Sequence, residues 1–195
     1  PAPAAASIGI DGMSATTRSA PSPRRTSPSR PTSRARASTS LNAAASLMNA
    51  GEELPRPAKE LILTPHPGEM SRLTGLSVEA VQADREGVAR RYAAQWNAVV
   101  VLKGARTVAA APDGRVCVNP TGNPGLARGG SGDVLAGLLV GFLGQKLKPF
   151  DVARAAVYLH GRAGDMVAWR KSQAGLVAGD LIDELPYVFR DVALR

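Results

Sequence analysis

The sequence predicts an α/β layer fold, a sheet with helices packed on it, on three observations. Leu61–Leu63 and Ala98–Leu102 are short continuous apolar runs, the pattern of strands covered on both faces. Segments with apolar residues at helical spacing lie beside them. Between the strands and a C-terminal set of helices stand Gly122, Gly125, Gly129, Gly130 and Gly132, five glycines in eleven residues.

Taken in order, residues 1–40 have neither strand nor helix periodicity and carry two Ser-Pro steps and an Arg-Pro step that disfavour helix, so they read as a disordered or extended segment. Leu41–Asn49 is an Ala-rich helix ended by Gly51. Leu61–Leu63, between Pro57 and Pro65, is a buried strand. Glu69–Leu73 is a helical turn closed by Gly75, and Ser77 caps a helix whose apolar residues Val81, Val88, Tyr92 and Trp96 run to about Asn97. Ala98–Leu102 is the second strand. Thr107–Ala111 and Arg115–Val118, joined by Pro112, Asp113 and Gly114, form a hairpin. Val134–Leu143 is apolar almost all round and predicts a central buried helix. Val152, Ala156, Leu159, Ala163 and Val167 make one stripe of a helix starting near Pro149 and Asp151. Ala178–Val188 is the last helix, with Pro186 late in it. Trp96, Trp169, Cys117 and His160 are read as packing residues.

Composition divides the chain. Nine Ser, eight Ala, six Arg, six Pro and five Thr fill 34 of the first 40 positions. Six Arg less Asp11 give this segment +5, which leaves +3 of the chain's formal +8 for the remaining 155 residues. A nucleic-acid binder would carry its charge on a folded face with aromatics between the cations, and here aromatics total 4%. The longest apolar stretch, Val134–Leu143, is well short of the roughly 18 residues of a membrane span. The single Cys117 excludes an internal disulfide and suits a cytoplasmic setting. Residues 1–40 read as a transit-type leader, a phosphorylatable linker or a stretch translated out of frame, and organelle targeting by them stays open.

The residues from Asn119 to Asp133 form a glycine-rich loop entering an apolar helix. Glycines let backbone amides converge, and the free N–H groups and dipole of a helix N-terminus attract an anion such as phosphate. Asp133 is the unexpected member of that loop. It either complements the helix dipole or accepts a proton from a hydroxyl attacking a phosphoryl group. Lys103 to Thr107 leaves the strand Ala98–Leu102 at its carboxyl end, where open α/β sheets bind ligands, or is a plain turn with a surface lysine. His66, between Pro65 and Pro67, is either a rigidly placed polar group or part of a helix start with Thr64 as cap and Pro65 in the first turn.

Together these segments resemble the ADP- or ATP-dependent NAD(P)H-hydrate dehydratases, members of the ribokinase-like superfamily. The resemblance covers about Leu61 to Pro186 in four ordered blocks, residues 63–69, 103–107, 122–137 and 159–165. It implies a ribokinase-like, Rossmann-like layered sheet with flanking helices, here expected without its N-terminal half: a disordered low-complexity segment 1–40 followed by a truncated domain 41–195. It implies repair of the hydrates NADHX and NADPHX to NADH and NADPH, by phosphorylation of the hydrate hydroxyl and loss of phosphate, with ADP or ATP and Mg²⁺. Asp133 is then catalytic. His66, Asn123 and Asp133 contact the hydrate; Lys103, Gly104, Ala105, Arg106, Thr107 and Gly132 hold the adenine nucleotide; and the amides of Gly129, Gly130, Ser131 and Gly132 form the anion hole. No protein-held metal is expected. The partners implied are the hydrate and the nucleotide, with no nucleic acid and no membrane, and self-association stays open.

Ser131 and Leu126 stand where the family usually has Thr and Met. Ahead of Leu41 and Asn42, Ala37 to Ser40 replace the family's acidic strand end, so little activity is expected of the chain alone. The alternatives are a small-alcohol kinase of the same superfamily, or a non-catalytic fragment that at most binds nucleotide.

Overall fold

Residues 61–193 are described by a computed structural model of the chain. The expectations for residues 1–40 and for the helix Leu41–Asn49 lie outside these residues. The chain forms β1 (Ile62–Leu63), α1 (Pro67–Thr74), α2 (Val78–Ala83), α3 (Arg85–Trp96), β2 (Val99–Leu102), β3 (Val108–Ala110), β4 (Val116–Val118), a 3-10 turn (Pro124–Leu126), α4 (Ser131–Gly144), α5 (Pro149–Lys171) and α6 (Ala178–Ala193).

The strands lie in the order β1-β2-β3-β4. β1 runs parallel to β2, with Ile62 opposite Val99, after a crossover through α1–α3. β2, β3 and β4 follow as an antiparallel meander, with Val101 opposite Ala109 and Ala109 opposite Cys117. Strand side chains alternate between faces. Val99, Val101, Ala109 and Ala111 therefore pack with Leu135, Leu139, Phe150, Val152, Ala153, Ala156 and Val157 of α4 and α5. Val100, Leu102, Val108 and Ala110 pack with Met70, Val81, Val88, Ala89, Tyr92 and Ala93 of α1–α3. Helices thus cover both faces of the sheet, and among the described residues no helix is long and apolar enough to cross a membrane.

Several expectations change. The turn Glu69–Leu73 extends to eight residues because His66, not Thr64, is the N-cap: the Glu69 N–H donates to His66 Nδ1 (3.2 Å), and the His66 N–H donates to Glu69 Oε2 (2.7 Å). Pro67, rather than Pro65, takes the first helical position. The helix expected from Ser77 to Asn97 is two helices. Asp84 leaves helical geometry (φ −139°, ψ 70°) and its carboxylate accepts the Gly87 N–H, so it ends α2 and caps α3.

Helix α4 is buried along one face only: Ser131, Leu135 and Leu139 face inward, while Asp133, Gly137, Val140 and Gly141 are exposed. Uniform apolarity therefore overstated its burial. Trp169 is 88% exposed and does not pack, because it projects from α5 away from the stripe Val152, Ala156, Leu159, Ala163 and Val167, all of which are buried as expected. Helix α6 passes through Pro186 to Ala193, held on α5 by Leu181 and Val188.

The segment between β4 and α4 lies against α5. Asn119 Nδ2 donates to Val157 O (3.1 Å) and Thr121 Oγ1 to Tyr158 O (2.9 Å). A Cβ on Gly161 would lie 2.3 Å from Thr121 Oγ1 and 2.8 Å from its carbonyl carbon, and one on Gly164 2.7 Å from Leu126 Cδ2. We expect Gly161→Ala to destabilise the fold by about 1–3 kcal/mol, the usual range of overpacking. Gly137→Ala, with nothing within 4 Å of the new methyl, should stabilise by about 0.5–1 kcal/mol through helix propensity. Denaturant midpoints of the two variants check both signs.

Candidate functional site

The turns leaving β1 and β2 lie side by side, since the Lys103 N–H donates to Pro65 O (2.8 Å). From there the Lys103 side chain reaches two partners. Its Nζ lies 3.6 Å from Glu69 Oε2 in the capping box of α1, and 3.7 Å from the position a Cβ would take on Gly132 in the first turn of α4. Glu69 Oε1 lies 3.6 Å from His66 Nε2. His66, Glu69, Lys103 and Gly132, from three separate blocks of sequence, therefore meet at the N-terminal end of α4.

The remainder of the 103–107 block is held from beneath by Arg85, a residue sequence reasoning missed. Its guanidinium donates to Leu102 O (2.8 Å) and to Ala105 O. Gly104, at φ +142°, leaves room for it; a Cβ there would lie 2.9 Å from Arg85 Nη2. Burial lowers the Arg85 pKa, although a guanidinium remains charged under all ordinary conditions. Thr107 Oγ1 donates to Gly104 O (3.1 Å), closing the turn, and Arg106 (φ +55°) is exposed within it. Thr107 and Arg106 thus shape or border this turn, whereas Lys103 is the member that reaches α4. Apolar spacing runs through Asp84 without a break, so it carries no signal for Arg85.

At the start of α4, Gly130 is the N-cap at φ +84° and no side chain caps the helix. The positive dipole end of this 14-residue helix lies beside the Lys103 ammonium, through Gly132. The four residues expected as an anion hole are not equivalent. Gly129 is exposed and Gly130 and Gly132 are partly so, but Ser131 is buried, with its N–H directed to Arg128 O (3.3 Å). Its side chain faces His160, whose Nε2 lies 2.9 Å from Ser131 O and 3.2 Å from Ser131 Oγ. A carbonyl only accepts, so Nε2 carries the proton. Burial pushes the His160 pKa down against the opposing pull of that carbonyl. His160 is therefore more than a packing residue: it ties α5 to the first residue of α4. Asp133 is exposed on the same first turn, its N–H donating to Gly130 O (3.1 Å).

Asn123 sits apart from Lys103, over α5. Its Oδ1 accepts the Gly125 N–H (3.0 Å) and its Nδ2 donates to Asp165 Oδ1 (3.0 Å), which leaves one amide hydrogen and one lone pair free of these bonds. The other side of Asp165 borders a cavity of about 560 Å³ between α5 and α6, lined also by Arg162, Arg170, Arg190 and the buried, Arg170-paired Glu184. This cavity is distinct from the cluster around Lys103. Among the described residues no three His, Cys, Asp or Glu side chains gather to hold a metal ion.

The sequence pattern of the NAD(P)H-hydrate dehydratase family matches residues 37–187, beginning ahead of the motif blocks. A bifunctional NAD(P)H-hydrate repair enzyme of Moorella thermoacetica is 56% identical over 132 residues, which are 68% of this chain and 25% of that protein. The crystal structure of the ADP/ATP-dependent NAD(P)H-hydrate dehydratase of Bacillus subtilis, co-crystallised with ATP/Mg²⁺ and soaked with CoA, superposes with a TM-score of 0.68 at 44% identity. That superposition covers 70% of this chain and 51% of the other. A ribokinase-like superfamily protein of Enterococcus faecalis, 33% identical, gives a TM-score of 0.61 over 76% of this chain and 50% of the other. The chain thus spans a quarter to a half of the length of these relatives. With a family match over most of its residues and a shared ribokinase-like fold, the chain belongs to the NAD(P)H-hydrate dehydratase family.

Proposed function

We propose that residues 41–195 form the nucleotide-binding and phosphoryl-transferring part of an NAD(P)H-hydrate dehydratase, which restores NADHX and NADPHX to NADH and NADPH at the expense of ADP or ATP. The observation that carries this reading is the approach of Lys103 to Gly132, which joins a cation to an uncapped helix N-terminus at the carboxyl end of β2. Such a pairing suits a nucleotide phosphate.

In this reading the hydrate hydroxyl attacks the terminal phosphoryl group and the shortened nucleotide leaves; the C6–O bond of the new ester then breaks to release phosphate, a proton leaves the neighbouring C5, and the ring double bond of the dihydronicotinamide is restored. Asp133, exposed beside the helix N-terminus, accepts the hydroxyl proton. Lys103 and the amides of Gly129, Gly130 and Gly132 take up the phosphoryl charge, while Ser131 supports them from within by its bond to His160. The turn from Gly104 to Thr107 borders the nucleotide, and His66 and Asn123 face the hydrate. Phosphoryl transfer needs mainly positioning and charge stabilisation, which is what these groups supply. Glu69 is paired with Lys103, and Asp133 stands on another element, so the donor set fits Mg²⁺ carried by the nucleotide's own phosphates rather than a protein cage. Mg²⁺ would there neutralise phosphate charge. The same reading places the chain in the cytoplasm, with the hydrate and nucleotide as its partners.

The direct test is to supply hydrate with ADP or ATP and Mg²⁺, following reduced-nicotinamide absorbance and free phosphate. A stable phosphorylated alcohol as the product would overturn the reading in favour of a kinase. Asp133→Asn should lower turnover by roughly 10² to 10⁴ and leave nucleotide affinity equal or tighter, as a negative charge near the phosphates is removed. Unchanged turnover returns Asp133 to a dipole-complementing role. Residues 1–195 alone should turn over more than about tenfold more slowly than a full-length relative, a barrier difference above about 1.4 kcal/mol. Comparable rates would make the additional length of the relatives dispensable for the reaction.

A further inference from the structure

Asp165 has no part in the reaction just described, yet both of its oxygens hold the glycine-rich loop. Oδ2 accepts the Gly122 N–H (2.9 Å) and Oδ1 accepts Asn123 Nδ2 (3.0 Å). The Asn123 Oδ1 in turn accepts the Gly125 N–H (3.0 Å), starting the 3-10 turn Pro124–Leu126. Three consecutive bonds therefore pass from one carboxylate into the loop.

Helix α5 meets the rest of the loop with the same face. Val157 and Tyr158 accept from Asn119 and Thr121, Gly161 admits Thr121, Gly164 admits Leu126, and His160 grips Ser131. Residues three and four apart on a helix share a face, and the steps from 157 and 158 to 161, and from 161 to 164 and 165, make one continuous seat. Gly122 contributes at φ +102°, a left-handed geometry natural to glycine, with Leu126 Cδ1 3.1 Å from where a Cβ would stand. Between Asp165 at one end and His160 at the other runs the ten-residue stretch 122–131, whose last residues open α4.

We propose that Asp165 is a positioning residue: its carboxylate fork on Gly122 and Asn123 sets the path of the loop and so preorganises the N-terminal turn of α4 at the far end of that loop. Preorganised donors need no rearrangement when charge arrives, which is why the anchoring of a loop can matter as much as the groups it presents. The inference deepens the proposed function in that the ligand of this turn is the nucleotide phosphate.

The fork can be rebuilt in the opposite sense. In Asp165→Asn the new amide has one acceptor for two donors, so one bond is lost. Adding Asn123→Asp restores all three: the amide oxygen at 165 accepts the Gly122 N–H, the amide nitrogen donates to the carboxylate at 123, and that carboxylate accepts the Gly125 N–H. Amide hydrogen exchange on the chain without nucleotide reads the effect, at Gly122 and Gly125 near the fork and at Ser131, Asp133 and Val134, whose N–H groups bond to Arg128 O and Gly130 O. Asp165→Asn should speed exchange by at least about tenfold at both ends of the loop and weaken ADP binding. The double exchange should return both to within about threefold of the parent.

Acceleration confined to Gly122 and Gly125 would make Asp165 a local brace and overturn the proposal, as would a double variant no better than the single one. If Asp165→Asn does not fold, the double variant decides alone: parental protection at Val134 sustains the proposal and loss of it overturns it. Failure of the proposed function would appear separately, as a parent chain that binds no ADP while its exchange pattern is unaffected.

Discussion

The seating of residues 119–131 on helix α5 is the constraint on which the site depends. A loop with five glycines in eleven residues has high conformational entropy when unfolded, and holding it in one path requires many compensating contacts. Helix α5 supplies them along about two turns. Asn119 and Thr121 bond to main-chain carbonyls of Val157 and Tyr158, two glycines open space for Thr121 and Leu126, and Asp165 and His160 hold the ends. Because α5 is also anchored in the sheet through Val152, Ala153, Ala156 and Val157, the loop inherits its position from the core.

The opposite wall of the site is built from the sheet. The main-chain bond from Lys103 to Pro65 aligns the ends of β1 and β2, and the capping box of α1 then places Glu69 beside the lysine. Arg85 secures the turn after β2 from the other layer of helices. The ion pair of Lys103 with Glu69 is partly buried, and the Coulombic gain of such a pair is offset by desolvation of its charges. Its consequence is geometric: the carboxylate keeps the ammonium beside Gly132 in the first turn of α4, where no side chain caps the helix.

The relative and the solved structures described above are two to four times as long as the part matched, and Gly137, Val140 and Gly141 of α4 are exposed in this chain.

The sequence by itself determined the elements whose cause is local or periodic. The strand Val99–Leu102 is buried throughout and is apolar throughout, the hairpin turns at Gly114, and the apolar stripe of α5 faces inward at each of its predicted positions. The four blocks that indicated the family were legible for the same reason, since each is a short run of residues whose spacing is visible without a fold. What only the structure decided leaves no trace in apolar spacing, and its long-range part depends on groups far apart in the chain. Whether Asp84 would break a helix rested on its carboxylate reaching Gly87, a bond that competes with continued helix and that apolar spacing does not register. Trp169 was read as packing because tryptophan is large and apolar, but burial is set by which face of α5 meets a neighbour, and that face turns away. His160 and Asp165 gained their roles only when α5 came against a loop 29 to 43 residues earlier in the chain. A hydrogen bond of that sequence separation leaves no periodic trace, because it is the product of packing rather than of local preference.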